Sequence, residues 1–312
     1  MAVHLSRREW LTHLPAGAAA AALASPAAAA EKAPADPFVY CLNTITISRQ
    51  KKSLVDQIEL AARAGYGAVE LWLRDLDAHV AEGGKLKDVA RQARDAGLVV
   101  ADVIAFFEWV VDDDERRRKG LEEAKRCMDL AQQAGSQRIA APPAGATKQA
   151  DLDLRKAAER YRALLEIGDK VGVVPQVEFW GPSKSLSRLG EAALVAVDAG
   201  HPKACVLADV FHLYRGGSGF AGVKLLSPAA LQVLHMNDYP ADPPRTVITD
   251  AARVYPGDGV APLKSLLRDL RAQGCRPVLS LELFNETYWK QDALEVARTG
   301  LEKMRAVVRA SA

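Results

Sequence analysis

Short apolar runs alternate with longer amphipathic stretches along most of this chain. Leu54, Ile58 and Ala61 share one helical face, and a second apolar face runs from Leu121 to Ala131. Such stretches repeatedly end at a glycine, and an apolar run begins within a few residues. Glycine is common just past a helix end because it accepts the left-handed backbone conformation. The glycines of this repeat are Gly65, Gly97, Gly135, Gly172, Gly200 and Gly274.

The spacing of the repeat predicts eight strands. Successive glycines are 32, 38, 37, 28 and 74 residues apart, and since 74 is twice 37, one unit lacks its glycine. The strand of that unit is expected at Leu231 to His235, and a first strand at Phe38 to Ile45. Strands that alternate with helices form parallel sheets. The pattern therefore predicts an α/β fold, a (β/α)8 TIM barrel that forms a single domain over residues 31–312.

An open, doubly wound sheet is the alternative fold. That fold normally carries a glycine-rich phosphate loop after an early strand. The glycine-rich segment of this chain, Gly216 to Gly219, instead follows the sixth predicted strand and lacks the lysine of a P-loop. The closed barrel is therefore preferred.

The first thirty residues have the composition of an export signal. Arg7 and Arg8 form a twin-arginine pair, and an alanine-rich stretch follows that ends at Ala30. A basic segment followed by apolar and small residues is typical of exported proteins, and the arginine pair indicates the twin-arginine route. We expect cleavage near Ala30 and a periplasmic location, with an uncleaved anchor or a disordered tail as alternatives.

Composition narrows the range of partners. The formal net charge of the 312 residues is +2, which favours neither a nucleic-acid nor a membrane surface. The expected partner is a small sugar, and the oligomeric state is left open, with a homo-oligomer among the alternatives. Four scattered cysteines without a CxxC pair are typical of small core residues.

Ligand-type side chains follow four successive predicted strands. Glu178, Asp209, His235 and Glu282 each come at the end of a short apolar run. The carboxyl ends of barrel strands meet at one rim, so we expect these side chains to converge there. Three carboxylates and one imidazole suit a divalent metal, for which Mn²⁺ is the expected ion and Mg²⁺, Co²⁺ or Zn²⁺ are alternatives.

Two of these ligands could also move protons. A metal that binds the carbonyl and adjacent hydroxyl of a sugar acts as a Lewis acid and stabilises an enediolate. Glu178 and Glu282 are the expected catalytic pair, one removing a proton beside the carbonyl and the other returning it. Return to the opposite face gives epimerisation, transfer to the adjacent carbon gives isomerisation, and loss of a β-substituent gives elimination.

Further residues near the strand ends are candidates for substrate binding. His212 follows Asp209 by three residues, and Arg253 lies in the long loop from Asn237 to Gly259. Glu70 ends the second predicted strand, where a helix cap or a salt bridge is the alternative role. Trp109 belongs to a group of tryptophans near strand ends, whose faces could pack on sugar rings or on neighbouring helices.

The chain resembles the xylose isomerase-like TIM barrel superfamily of sugar phosphate isomerases and epimerases. The resemblance rests on Glu178, Asp209-x-x-His212, His235-x-x-Asp238, Glu282, and Arg253 before Pro256-Gly257-Asp258-Gly259. It implies the barrel, a bound metal on the four strand-end ligands and the glutamate pair as catalysts. It also implies that His212 and Arg253 hold substrate oxygens. Arg253 lies further past His235 than in the ketose epimerases, which leaves the substrate open.

The leading hypothesis is a metal-dependent isomerase or epimerase of a ketose or keto-sugar. A keto-sugar or keto-glycoside lyase or dehydratase that uses the same enediolate is the nearest alternative. The superfamily also contains DNA endonucleases with several histidines and a basic surface, which fit this near-neutral, histidine-poor chain badly. A non-catalytic sugar-binding protein is the remaining alternative.

Overall fold

Eight parallel strands form the centre of the fold. The computed structural model describes residues 38–312, so the expected export signal at residues 1–30 lies outside the described part of the chain. The strands are β1 (Tyr40–Asn43), β2 (Ala68–Trp72), β3 (Val99–Ile104), β4 (Arg138–Ala141), β5 (Val174–Glu178), β6 (Val206–Asp209), β7 (Leu231–Met236) and β8 (Val278–Leu281). Their number and positions confirm the sequence prediction.

The strands close almost completely into a barrel. Hydrogen-bonded neighbours follow the order β3-β2-β1-β8-β7-β6-β5-β4, and every ladder between them is parallel. The first and last strands of this order, β3 and β4, also lie side by side. The predicted (β/α)8 barrel is therefore confirmed, and the carboxyl ends of all eight strands face the same rim.

Helices surround the barrel. They are α1 (Leu54–Ala64), α2 (Leu73–Ala81), α3 (Leu86–Asp95), α4 (Asp114–Gln133), α5 (Leu154–Val171), α6 (Leu189–Asp198), α7 (Val210–Gly216), α8 (Leu263–Ala272) and α9 (Ala293–Arg309). Two helices, α2 and α3, connect β2 to β3. Between β6 and β7 there is only the short α7 and a 3-10 turn at Phe220–Leu225. The unit without its glycine is therefore the unit without a full-length helix.

The glycines of the sequence repeat adopt the backbone conformation that the repeat predicts. Gly65 follows α1 with φ of 94°, and its N–H donates to the carbonyls of Ala61 and Ala62. The other five also have positive φ, from 60° at Gly200 to 91° at Gly135. Residues with a Cβ rarely adopt this conformation, so each glycine allows the chain to leave a helix and enter the next strand.

The apolar side chains occupy two regions, the shell between strands and helices and the interior of the barrel. The interior contains two clusters, one of Ile45, Trp72, Ile104, Ala140, Leu207 and Val233 and a smaller one of Cys41, Ala68 and Ala101. The four cysteines are buried and form no disulfide. Over residues 38–312, no helix combines the length and the apolar character that crossing a membrane requires.

The packing of α5 on β5 leaves no room for a side chain at Gly168. A Cβ there would lie 2.3 Å from the carbonyl oxygen of Val173, whereas a Cβ at Gly190 in α6 would meet nothing within 4 Å. We expect Gly168→Ala to lower the free energy of unfolding by about 1–3 kcal/mol through overpacking. Gly190→Ala should be neutral or stabilise the protein by up to about 1 kcal/mol. Urea unfolding of both variants tests this, and equal effects would contradict the packing described.

Candidate active site

The ends of β5 to β8 bring four ligand-type side chains together. Glu178 is the last residue of β5, Asp209 the last of β6, His235 lies one residue before the end of β7, and Glu282 directly follows β8. Asp209 and His235 are direct neighbours in the register of β6 and β7. All four side chains are buried. Parallel pairing thus places residues that are up to 104 positions apart in the chain at a single point of the rim.

Three of the four form a compact donor cluster. One oxygen of Asp209, one oxygen of Glu282 and a ring nitrogen of His235 lie within 4.8 Å of one another. His235 Nδ1 is 3.2 Å from Glu282 Oε2 and 3.5 Å from Asp209 Oδ2. Glu178 is looser, with its Oε1 3.8 Å from the same nitrogen. Two carboxylates and an imidazole at this separation can hold a divalent cation.

Hydrogen bonding orients His235 toward this cluster. Its Nε2 lies 2.9 Å from Glu70 Oε1, and among the described residues its Nδ1 has no partner of hydrogen-bonding geometry. A carboxylate behind one ring nitrogen fixes the proton there and directs the lone pair of the other nitrogen outward, as metal-binding histidines require. Burial disfavours the imidazolium, but Glu282 and Glu70 raise the pKa of His235 well above its usual value. The position therefore attracts positive charge.

Glu70 lies behind His235. Its side chain is fully buried and accepts hydrogen bonds from Asn43 Nδ2 at 2.8 Å and Ser280 Oγ at 2.5 Å. Asp102 lies opposite Glu70 in the register of β2 and β3, and burial together with the Glu70 charge raises its pKa well above the usual range. The expected substrate contact through Glu70 is not found, because the carboxylate is enclosed by protein groups. Glu70 instead positions His235.

Arg253 lies at the same point as the donor cluster. Its Nη1 donates to Asp209 Oδ2 at 2.6 Å and to Glu282 Oε2 at 2.8 Å. Its Nε and Nη2 both donate to Asp250 Oδ1, at 3.1 and 2.5 Å. The guanidinium is 1% exposed, so these charges interact in a poorly hydrated environment. The long loop after β7 thus delivers the expected arginine, already paired with three carboxylates.

His212 lines the cavity next to Arg253. Its backbone N–H donates to Asp209 Oδ1 at 2.8 Å, which caps α7 and fixes that carboxylate. Burial lowers the pKa of the ring to about 4, so His212 is neutral at physiological pH. Its ring Nδ1 is buried without a hydrogen-bond partner in the described part of the chain. A neutral imidazole with a free nitrogen can hydrogen-bond an uncharged substrate oxygen.

Glu178 differs electrostatically from the clustered carboxylates. Burial raises its pKa to about 8, and the nearby charges of Glu282 and Asp209 act in the same direction. The pKa of Asp209 is lowered instead, because the charge of Arg253, together with that of His235, outweighs the effect of burial. A carboxyl with a pKa near neutrality exchanges protons readily at physiological pH. Glu178 is thus suited to proton transfer.

A cavity of about 270 Å³ opens directly above these residues. One wall is polar and contains Glu178, His212, Asp250, Arg253 and Glu282. The other wall is aromatic and contains Trp72, Phe106, Trp180 and Phe284. Neighbouring rings meet edge to face, with Trp72 and Trp180 each 5.6 Å from Phe106 between centroids. The volume is near the lower limit of ligand sites, roughly 300–1,000 Å³, which suits a monosaccharide-sized molecule.

Trp109 is not part of this wall. Its ring is fully buried, its Nε1 donates to the carbonyl of Pro142 at 2.8 Å, and it packs against Tyr161. The expectation that Trp109 contacts substrate therefore fails, because the segment after β3 turns Phe106, not Trp109, toward the cavity. Phe106, Phe284 and Asp250 also line the cavity, although the sequence pattern did not predict them as site residues. Phe106 follows a strand end as Trp72 and Trp180 do, so its position was the available signal.

Comparison with known proteins agrees with this architecture. The family model described as "Xylose isomerase-like TIM barrel" matches residues 58–307. The chain belongs to the xylose isomerase-like TIM barrel family. The superfamily resemblance inferred from the strand-end residues is thereby confirmed.

Several members of this family are similar over most of the chain. The inosose isomerase of Bacillus velezensis is 28% identical over 272 residues, which cover 86% of this chain and 96% of the relative. The 3-dehydroshikimate dehydratase of Pseudomonas aeruginosa is 28% identical over 250 residues, 76% of this chain but only 37% of that longer protein. A crystal structure of an IolI protein with a zinc atom has a TM-score of 0.81 at 22% identity, with 88% of this chain and 99% of that one covered.

The ion pairs of Arg253 predict how the site responds to loss of its cation. In protein treated with a chelator, Arg253→Met leaves the buried carboxylates of Asp209 and Glu282 without a counter-charge. We expect the free energy of unfolding to fall by about 3–5 kcal/mol, as when one partner of a buried pair is removed. Added Mn²⁺ should restore more stability to this variant than to the native protein, since it supplies the missing charge.

Urea unfolding with and without Mn²⁺ measures both effects. Arg245→Met is the control, because Arg245 lies in the same loop but is exposed and donates only to the carbonyl of Arg215. A loss no larger than that of the control would show that Arg253 does not balance the buried charge.

Proposed function

We propose that this protein is a divalent-metal-dependent isomerase or epimerase that acts on a ketose or keto-sugar by proton transfer through an enediolate. One observation carries the proposal. Glu178 and Glu282 line a sugar-sized cavity, and the ligand atoms of Asp209 and His235 lie within 4.8 Å of that of Glu282. The similarity to an inosose isomerase over 86% of the chain supports the same class of reaction.

The donor set supports a divalent cation. Asp209, His235 and Glu282 would hold it, and Glu178 is close enough to join them. Oxygen-rich donor sets suit Mn²⁺, which remains the proposed ion, while the zinc atom of the IolI structure makes Zn²⁺ the first alternative to test. When bound, the ion polarises the carbonyl of the substrate and lowers the energy of the enediolate.

The two glutamates carry the proton transfers. Glu178 lies outside the donor cluster and lines the cavity, so it is the better placed of the two to remove a proton beside the carbonyl. Glu282 accepts hydrogen bonds from Asn43 at 3.1 Å and from Arg253 at 2.8 Å, which fix its orientation. Glu282, which lines the same cavity, then supplies the proton that completes the transfer. His212 lines the same cavity and is the proposed hydrogen-bond partner of a substrate oxygen.

A dehydratase or lyase is the second candidate function. The 3-dehydroshikimate dehydratase of Pseudomonas aeruginosa is as similar in sequence as the isomerase, although it extends far beyond the shared region. Both reactions begin with removal of the same kind of proton, and they differ only in whether a β-substituent then leaves. Analysis of products from a panel of keto-sugars distinguishes them, because a lost water or aglycone would exclude the isomerase.

We further propose that the protein is exported by the twin-arginine route and acts in the periplasm. The support is the sequence of residues 1–30, with Arg7 and Arg8 before an alanine-rich stretch. The twin-arginine route carries folded proteins, which suits an enzyme that binds its metal before export. Fractionation of cells that produce the native chain and an Arg7→Lys, Arg8→Lys variant tests it.

Replacement of Glu178 separates proton transfer from metal binding. We expect Glu178→Gln to lower kcat by about 10²–10⁴-fold, because an amide cannot exchange the proton. Solvent deuterium should enter the substrate correspondingly slowly in D₂O. The affinity for Mn²⁺ should change less than in Asp209→Asn, since Glu178 lies outside the donor cluster.

Glu159→Gln is the matched control, because Glu159 is exposed on α5 and does not line the cavity. Unchanged deuterium incorporation in Glu178→Gln would assign the proton transfer to another group.

Replacement of Glu70 distinguishes positioning from substrate contact. Glu70→Gln should weaken metal binding by about 10–100-fold, because His235 loses the carboxylate that fixes its ring. At saturating metal, KM for the sugar should stay close to the native value. Metal titration followed by steady-state kinetics measures both quantities. A raised KM for the sugar with unchanged metal affinity would instead restore Glu70 as a substrate contact.

A further inference from the structure

The cavity contains no free positive charge within residues 38–312. Arg253 is the one Lys or Arg side chain among the residues that line it. Two carboxylates at the donor cluster accept hydrogen bonds from Arg253 Nη1. A guanidinium recognises a phosphate or carboxylate by directing several N–H groups at it, and those of Arg253 are already used.

Asp250 holds the other edge of the guanidinium. Its Oδ1 accepts from both Nε and Nη2 of Arg253, three residues later on the same loop. The Arg253 charge in turn keeps the pKa of Asp250 below its usual value despite partial burial. Asp250 does not belong to the donor cluster. A divalent cation bound by the cluster would therefore leave the pair of Asp250 and Arg253 intact. The carboxylate also lines the cavity, and its side chain is 40% exposed.

The balance of charge excludes a second anion. Arg253 faces three carboxylates, those of Asp209, Glu282 and Asp250. A divalent cation in the donor cluster would bring Arg253 and these three carboxylates to neutrality, and Glu178 adds no positive charge. An anionic substrate group would therefore enter a poorly hydrated cavity without a counter-charge, which is unfavourable. The aromatic residues that line the cavity carry no charge, and Arg74, which stacks on Trp72, is not a lining residue and pairs with Asp75 at 3.4 Å.

We propose that the substrate is an uncharged polyhydroxy ketone, such as a free ketose or a keto-cyclitol, and that the Asp250–Arg253 pair excludes phosphorylated and carboxylated ketones. This inference rests on the proposed function, because it concerns the same cavity. His212 then faces hydroxyl and carbonyl oxygens of the substrate, and the aromatic rings pack against its C–H faces. Asp250 determines specificity by neutralising Arg253.

Binding to Mn²⁺-loaded protein, freed of excess metal, tests the proposal without requiring turnover. D-fructose and D-fructose 6-phosphate form one matched pair, and an inosose and 3-dehydroshikimate form the second comparison. Isothermal titration should show that the uncharged member of each pair binds at least about tenfold more tightly. Equal or tighter binding of the charged member would overturn the proposal, and so would failure of all four to bind.

The Asp250→Asn variant tests the assigned residue. Loss of the Asp250 charge leaves Arg253 partly unopposed, so binding of D-fructose 6-phosphate should tighten by about tenfold relative to the native protein. Asp242→Asn, an exposed change of the same kind in the same loop, should leave it unaltered. An unchanged affinity in Asp250→Asn would remove Asp250 from the mechanism of exclusion.

The outcome separates this inference from the proposed function. If the uncharged ketones bind more tightly than the charged ones but undergo no isomerisation, epimerisation or elimination, the proposed function is refuted and the preference for uncharged ligands is supported. Turnover of a phosphorylated ketose would uphold the function and overturn the selection.

Discussion

The site depends on the balance of charge among buried carboxylates at the carboxyl ends of β5 to β8. Glu178, Asp209 and Glu282 are nearly inaccessible to water, and each ionised carboxylate in such a place needs a cation or a hydrogen-bond donor. Arg253 supplies one positive charge, and His235 lies between the oxygens with one ring nitrogen directed at them. This arrangement creates a strong attraction for a divalent cation, since a single arginine does not neutralise three acids.

A network of buried hydrogen bonds lies behind the site and holds its side chains in place. Glu70 orients His235, and Asn43 connects Glu70 to Glu282 by donating to both carboxylates. Trp72, a member of the cavity wall, donates from Nε1 to Asn43 Oδ1 at 2.8 Å. A buried hydrogen-bonded chain of this kind fixes rotamers, because each partner loses a bond if it turns. Through this chain, β1 and β2 support a site whose metal-binding residues come from β6, β7 and the end of β8.

The loop after β7 combines two tasks. Asp238 anchors it by accepting from the backbone N–H groups of Gly257 at 2.9 Å and Ala261 at 2.8 Å, and a β-bridge joins Asp238 to Val254. This anchoring holds Arg253 over the donor cluster, and the 3-10 turn before it delivers Asp250 to the same guanidinium. Because the loop carries both the arginine and its neutralising acid, changes in the loop can alter substrate charge preference while the donors stay in place.

The sequence by itself determined the barrel and its rim, because helix-ending glycines, apolar runs and polar strand ends are local signals whose meaning depends on nearby residues. It therefore located the eight strands and the four ligand-type residues. Only the tertiary structure decided where side chains point. It enclosed Glu70 behind His235, turned Trp109 into the shell and placed Phe106 in the cavity, although all three lie near strand ends. It also showed that Arg253 is already paired, since Asp250 meets it through a turn and Asp209 and Glu282 through separate strands. Charge balance among residues distant in sequence cannot be obtained from periodicity, because it depends on distances that only packing sets.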